Sequence, residues 1–143
     1  MTTAIPRNPA ALGPPAGISH HGVEVTAGRR MLFVSGQIGV RADGSIPESI
    51  AEQTEVVWQR IEAILAESGM AISDIVKITS FLTRPEDYEA FARVRAARLA
   101  GHRTASTAVF VSALVKPALR VEIEVVAARS ATGGGLSSAG STI

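Results

Sequence analysis

Two carboxylates near the end of the chain have the spacing of residues on one face of a β-strand. Glu122 and Glu124 alternate with apolar residues in "RVEIEVVAA" (120–128), and alternate residues of a strand share a face. A carboxylate placed in this way can take a proton or orient a water molecule. The same pattern also describes a solvated sheet face with ion pairs to Lys77 or Arg120, so both interpretations stay open.

A second polar group ends an apolar segment, "FVSGQI" (33–38). Ser35, Gly36 and Gln37 could form the edge of a pocket, since glycine lets a ligand approach the backbone and its N–H can bind an anion. Alternatively, they are the end of a strand that needs a turn. No Gly-Lys-Ser/Thr signature of a phosphate-binding loop follows.

Hydroxyl side chains open a third apolar segment, "RTASTAVFV" (103–111). Thr104, Ser106 and Thr107 are either ordinary residues at the start of a strand or part of the lining of a binding pocket. A loose cluster of arginines surrounds the second predicted helix, at positions 93, 95, 98 and 103. They form either a solvated basic face or a source of one cation for a cleft.

Several kinds of site are excluded by composition. The chain has no cysteine, so it can have no disulfide, thiolate nucleophile or zinc–cysteine centre. His20 and His21 are adjacent on a predicted strand and point to opposite faces, so we expect no metal site. A formal net charge of +1 gives no electrostatic basis for nucleic-acid binding.

The chain reads as one folded domain between two irregular ends. Residues 1–16 carry four prolines and predict an extended lead-in, residues 17–129 predict the domain, and residues 130–143 predict a flexible Gly/Ser-rich tail. No apolar run approaches the 18 or so residues of a membrane span, nor does the start resemble a secretory leader. We therefore expect a cytoplasmic protein without a membrane partner.

The alternation of patterns predicts an α+β domain of order β-β-α-β-α-β-β. Predicted strands cover 18–25, 29–38, 74–82, 106–114 and 120–128. Ser49–Glu52 and Thr83–Glu86 have capping-box spacing and open two helices that end at Gly69 and Gly101. The second helix is predicted to contact the core through Tyr88, Phe91, Val94 and Leu99.

Both helices are expected on one face of a single sheet. The other face would then carry apolar residues such as Phe33, Phe81 and Phe110 with nothing in the chain to cover them. An uncovered apolar face indicates oligomerisation.

Together these segments resemble the Rid family, also called YjgF and, in older names, L-PSP endoribonuclease. The resemblance covers about residues 11 to 129 and is carried by "ALGPP" (11–15), "FVSGQI" (33–38), "DIVKITSFLT" (74–83), "DYEAF" (87–91) and "RVEIEVVAA" (120–128), with "EQTEVVWQRIEAILAESG" (52–69) between them. It implies a chorismate-mutase-like fold and a homotrimer with a central barrel and three clefts between subunits. Best-known members hydrolyse enamine/imine intermediates such as 2-aminoacrylate to a 2-keto acid and ammonia, without a metal or cofactor.

The resemblance also assigns roles to residues. Glu122 matches the glutamate credited with placing the hydrolytic water, and Ser35, Gly36 and Gln37 match the family segment beside it. Ser106, with Thr107 next to it, stands where active deaminases have an arginine that holds the substrate carboxylate.

Two further family positions differ: Pro15 replaces a tyrosine, and Ala92 aligns with an asparagine. Standard 2-aminoacrylate deamination is therefore doubtful. Three functions stay open: a Rid-type hydrolase with a less acidic substrate, a trimer that binds a metabolite without turning it over, and a ribonuclease. Whether Arg95, Arg103 or Arg120 replaces the missing arginine is also open.

Overall fold

The computed structural model describes residues 4–15 and 17–131. The strands are β1 (Ala4–Arg7), β2 (Ser19–His20), β3 (Gly22–Val25), β4 (Arg29–Ile38), β5 (Ile75–Leu82), β6 (Thr104–Phe110) and β7 (Val121–Ser130), and the helices are α1 (Ile50–Glu67) and α2 (Tyr88–Leu99). Short 3-10 turns cover Ala10–Leu12, Ile72–Asp74 and Pro85–Asp87. The predicted α+β class is confirmed, whereas most of the predicted tail lies outside the described residues.

Five strands form one mixed sheet in the order β2-β6-β5-β7-β4. The central strand β5 runs parallel to β6 and antiparallel to β7, while β4 pairs antiparallel with the other side of β7. Both helices pack on the same face, since Ile61 of α1 and Phe91 of α2 share one core cluster with Ile78 and Ile123 of the sheet. Neither helix is long and apolar enough to cross a membrane.

Helix α1 forms as its sequence predicts. The Ser49 hydroxyl accepts a hydrogen bond of 3.0 Å from the backbone N–H of Glu52, which satisfies one of the free donors at a helix start. Trp58, Ile61 and Leu65 recur at helical spacing and are fully buried against the sheet. The helix ends before Gly69, whose φ of 70° suits a residue without a side chain.

The predicted strand 18–25 is broken in two, which sequence reasoning did not expect. β2 pairs in parallel with the start of β6, and β3 pairs with β1 in a separate two-stranded sheet. The break falls at His21, whose backbone N–H donates to the side chain of Asn8 at 2.7 Å instead of to a neighbouring strand. The lead-in therefore contributes a strand, β1.

Two other boundaries also differ from prediction. β6 ends at Phe110, not at residue 114, because its neighbour β5 ends at Leu82 and the last shared bond is from Val111 N–H to the Leu82 carbonyl. Thr83–Glu86 makes no capping box; α2 is preceded by a 3-10 turn, and no side chain caps it.

Two buried polar groups fix the loops around the sheet. The Gln53 amide donates to the carbonyls of Pro47 and Ala118, both at 2.9 Å, and its oxygen accepts from Arg120 N–H at 2.8 Å. Asp87, whose side chain is 3% exposed, receives two bonds from the Arg120 guanidinium, at 2.6 and 3.0 Å. The amide of Gln53 and the carboxylate of Asp87 thus each have hydrogen-bond partners, as burial requires.

Candidate functional site at the β4–β7 bulge

The polar segment at the end of β4 forms a β-bulge. Val34 lies opposite Val125 and Gln37 lies opposite Ile123, so three steps along β4 match two steps along β7. The extra residue falls at Ser35 and Gly36. A bulge of this kind re-aims side chains and is common next to binding sites.

The bulge brings Gly36 against the carboxylate of Glu122. A Cβ placed on Gly36 would lie 2.8 Å from the Glu122 carboxyl carbon and nearer still to its Oε2. Position 36 therefore needs glycine, because any side chain would displace the carboxylate. Of the predicted site residues, the structure brings Ser35, Gly36 and Glu122 together.

Gln37 points the other way and holds the bulge. Its register partner is the buried Ile123, its amide nitrogen donates to the Ser35 carbonyl at 3.0 Å, and its oxygen accepts from Arg60 Nε at 2.9 Å. Arg60 also donates to the Val40 carbonyl at 3.1 Å. The amide of Gln37 thus braces the backbone on which Ser35 and Gly36 lie.

Glu122 and Glu124 share the sheet face opposite the helices, as their alternation predicts. Glu122 is half-buried and Glu124 is exposed. Within residues 4–15 and 17–131 neither carboxylate has an ion pair or hydrogen bond. Lys77 instead donates to the Thr107 hydroxyl at 2.7 Å, and Arg120 forms an ion pair with Asp87.

Ser106 and Thr107 lie apart from this carboxylate within one chain. Ser106 pairs in register with the core residue Ile78, which places it on the helix-covered side, and Thr107 pairs with Thr79 on the open side. Strand β5 separates β6 from β7. A site that uses both Ser106 and Glu122 therefore needs a second copy of the chain.

The arginines that could replace the family arginine have distinct environments. Arg95 is 8% exposed, lies 4.8 Å over the Phe91 ring and donates to the Tyr88 hydroxyl at 3.2 Å. Each of the three guanidinium nitrogens of Arg120 donates to Asp87 or to the Glu48 carbonyl. Arg103 bonds the Ser19 carbonyl at 2.8 Å.

The predicted basic face of α2 is thus wrong for Arg95, which packs inside an aromatic group. Arg98 pairs with Glu55 and Glu62 of α1 at 2.7 and 3.2 Å, and these partners hold its pKa above the ordinary value against the opposing effect of burial. Tyr88, predicted in the core, is 39% exposed and forms an edge-on contact with Phe110 at 6.5 Å.

The two outer regions of the sheet expose apolar side chains. On β4, Met31 is 44% and Phe33 is 72% exposed; on β6, Val109 is 40% and Phe110 is 49% exposed. β2 covers β6 only at Thr104 and Ala105, so among the described strands the outer edge of β6 has no partner from residue 106 onward. The exposed ring of Phe33 fits the predicted uncovered face. The prediction is wrong for Phe110, because it pairs in register with the buried Leu82 and its ring contacts Tyr88 of α2, which places it on the helix-covered side.

Comparison with known proteins places these features in a family. The family model "Endoribonuclease L-PSP" matches residues 12–129. Protein MMF1, mitochondrial, of Saccharomyces cerevisiae is 33% identical over 128 residues, covering 89% of this chain and 86% of the yeast protein. The "putative reactive intermediate deaminase TdcF" of Escherichia coli is 32% identical, covering 87% of this chain and 94% of that protein.

Solved structures agree with the sequence matches. A Rid-family protein, YyfB of Yersinia pestis, superposes with a TM-score of 0.78 at 26% identity, covering 88% of this chain and 98% of that one. Escherichia coli TdcF with bound serine superposes with a TM-score of 0.67 at 30% identity, covering 82% and 92%. The family model's match runs through the bulge, β7 and both helices, and the chain belongs to the endoribonuclease L-PSP family, which is the Rid/YjgF family.

Proposed function

We propose that the protein is a homotrimer that holds a small molecule in the clefts between its subunits and hydrolyses an enamine or imine less acidic than the usual amino-acid intermediates. The contact of Gly36 with Glu122 carries this proposal, because it holds at the bulge a carboxylate that has no partner among the described residues. A relative with bound serine supports a ligand of metabolite size.

A ring assembly is supported by the difference between the two exposed edges. β4 and β6 lie at opposite sides of the sheet and expose different apolar residues. Contacts between two different surfaces run head to tail and form a ring when the rotation between subunits closes, whereas a two-fold dimer uses one surface twice. Such a ring would bring β6 of one subunit, with Ser106, toward the open sheet face of the next, with Glu122.

Glu122 is the proposed base for water. As the water oxygen bonds to the imine carbon, the carboxylate takes one proton from the water and returns it to the imine nitrogen. The resulting carbinolamine then forms its C=O bond as the C–N bond breaks, and ammonia leaves with the remaining hydroxyl proton. The reaction consumes one water for each imine and needs no oxidant or reductant.

Ser106 sets the proposed substrate class. An arginine binds a carboxylate through two charge-assisted hydrogen bonds, and serine offers one neutral hydroxyl. Losing a charged hydrogen bond costs about 1.5–3 kcal/mol, or roughly 10- to 200-fold in affinity or rate. The replacement of arginine by serine therefore lowers the affinity for a neutral or weakly acidic imine less than the affinity for 2-aminoacrylate.

A non-catalytic binding trimer is the second candidate. The changes at Pro15, Ala92 and Ser106 all remove polar groups from the family pattern, which favours retention of a ligand over its turnover. A ribonuclease has less support, since the net charge of +1 provides no general attraction for a phosphate backbone.

The test uses 2-iminopropionate made in situ by an amino-acid oxidase. We expect the wild-type protein to accelerate its hydrolysis barely, and Ser106→Arg to raise the rate at least about tenfold by restoring a carboxylate clamp. Glu122→Ala in the Ser106→Arg background should abolish the gain. Rescue will be partial because positioning errors of about 1 Å are costly.

Neutral imines made from aldehydes and ammonia complete the comparison. Acceleration of these by the wild type, lost in Glu122→Ala, supports the hydrolase. Rapid deamination of 2-iminopropionate by the wild-type protein would contradict the proposal that the site lacks an arginine for the substrate carboxylate. No hydrolysis of either substrate class by wild type or by a correctly assembled Ser106→Arg trimer would favour the binding protein.

A further inference from the structure

A second cavity lies at the far end of the sheet from the bulge. It has a volume of about 380 Å³ and lies between the β1–β3 pair and the start of β6, with Ala128 of β7 in its wall. Ala128 is six residues along β7 from Glu122, which is about 20 Å at the rise of a strand. The cavity is therefore separate from the proposed hydrolytic site.

His20 lines this cavity in a fixed orientation. The Asn8 side-chain oxygen accepts from His21 N–H at 2.7 Å, so its amide nitrogen is the group that faces His20 Nδ1 at 3.1 Å. Because that nitrogen donates, Nδ1 of His20 accepts and the neutral ring carries its proton on Nε2. The Nε2–H donor of His20 thus has no hydrogen-bond partner in residues 4–15 and 17–131.

His102 and Arg103 line the same cavity. His102 Nε2 lies 2.8 Å from the Ile75 carbonyl and must donate to it, which leaves Nδ1 free to bind a further proton. Arg103 is exposed and uses one nitrogen for the Ser19 carbonyl. In the part of the chain that the structure describes, no carboxylate pairs with Arg103.

The acidic residue of the cavity wall does not neutralise these groups. Asp74 accepts from Ala71 N–H at 2.9 Å and pairs with Arg129 at 3.1 Å. The cavity is therefore electropositive. Burial first, and then the charges of Arg103 and His102, hold the pKa of His20 below its ordinary value of 6.5.

Thr104 lines the cavity as well and is 1% exposed. Its hydroxyl has no hydrogen-bond partner among the described residues. An unpaired buried hydroxyl costs free energy. An acceptor atom at the floor of the cavity would supply the missing bond.

We propose that this cavity binds a small organic anion, whose phosphate or carboxylate group is held by His20, His102 and Arg103. Pro6 and Val23 also line the cavity and suit a short hydrocarbon portion of the same ligand. The anion also favours protonation of His20, at the expense of the bond that Nδ1 accepts from Asn8, so its affinity falls as pH rises through the pKa of His20. The other ionisable group in the wall, Asp74, stays paired with Arg129.

The chain has only three histidines, so their imidazole resonances can each be followed by NMR. Signals are assigned with single His→Gln variants and titrated with inorganic phosphate or succinate against chloride at constant ionic strength. We expect saturable shifts of His20 and His102 and a rise in the pKa of His20. His21, whose Nε2 lies 3.0 Å from the Gly13 carbonyl, is the internal reference.

Arg103→Gln should weaken the response about tenfold or more and raise the pKa of His20 in the absence of anion. Arg41→Gln, in an exposed loop, is the matched control and should behave as wild type. A response to phosphate alone supports a phosphorylated ligand, and one to succinate alone supports a carboxylate ligand. Shifts no larger than those of His21, or an undiminished response in Arg103→Gln, overturn the proposal; neither readout depends on hydrolysis at Glu122.

Discussion

The carboxylate of Glu122 rests against the backbone of Gly36, at a distance that leaves no room for a Cβ. Gly36→Ala should therefore push the carboxylate aside and lower hydrolysis of the best imine substrate about tenfold or more, since small displacements of a catalytic group are costly. The folded state should survive, because Glu122 can swing outward from a half-buried position. Initial rates with folding checked by circular dichroism measure both effects.

The matched control is Gly22→Ala, also in a strand. A Cβ there meets its nearest neighbour at 3.6 Å, an ordinary contact, so the activity should not change. Equal rates for Gly36→Ala and wild type would mean that the position of Glu122 does not matter for turnover.

Phe33→Glu should dissociate the proposed ring. Phe33 is 72% exposed on the open sheet face, and burying an unpaired carboxylate at an apolar interface is strongly unfavourable. We expect light scattering to change from a trimer mass to a monomer mass at micromolar concentration. Gln59→Glu adds the same charge to the exposed side of α1 and should leave the trimer intact; a monomeric wild type would refute the assembly.

Gln53→Met should cost about 3–5 kcal/mol of unfolding free energy. The change preserves size but leaves two carbonyls and the Arg120 N–H without the partners that they have now, and each unpaired buried group costs about 1–3 kcal/mol. Urea denaturation measures the loss. Gln59→Met, further along the same helix and exposed, should change stability by less than about 0.5 kcal/mol.

Stability should decrease on acidification through the titration of His20. Its pKa is lowered in the folded protein, from 6.5, by burial, Arg103 and His102. The unfolded chain therefore binds the proton more readily, and the contribution of His20 is present above pH 6.5 and is lost as pH falls through the folded value. Thermal unfolding in buffers without phosphate or carboxylate should show a smaller pH slope for His20→Gln; an unchanged slope contradicts the assignment.

Local pattern was enough to predict much of the fold. The Ser49 cap, the apolar stripe of α1 and the alternation of Glu122 with core residues depend on neighbours within a few positions, and each is confirmed. The break at His21 could not be predicted in this way, because it depends on a side-chain bond from Asn8, which lies 13 residues away in the chain.

The site shows the same division. The residue type of Gly36 correctly predicts that another group approaches its backbone closely. That group is the Glu122 carboxylate, whereas the sequence suggested a ligand. The inward orientation of Gln37 depends on a one-residue bulge, which reverses the side-chain alternation of β4 after Val34. The pairing of Asp87 with Arg120 spans 33 positions of the chain, so it leaves no local signal in the sequence.

Arg60 has a consequence for how this sequence tolerates change. It is an exposed residue on α1, where most substitutions would count as neutral, yet its guanidinium holds the amide that supports the Ser35 backbone. Variation at position 60 is thus constrained by a site that the side chain never touches. Drifting relatives that lose this arginine would have to change position 37 in the same lineage, so the two positions should covary although one is on the surface and the other is buried.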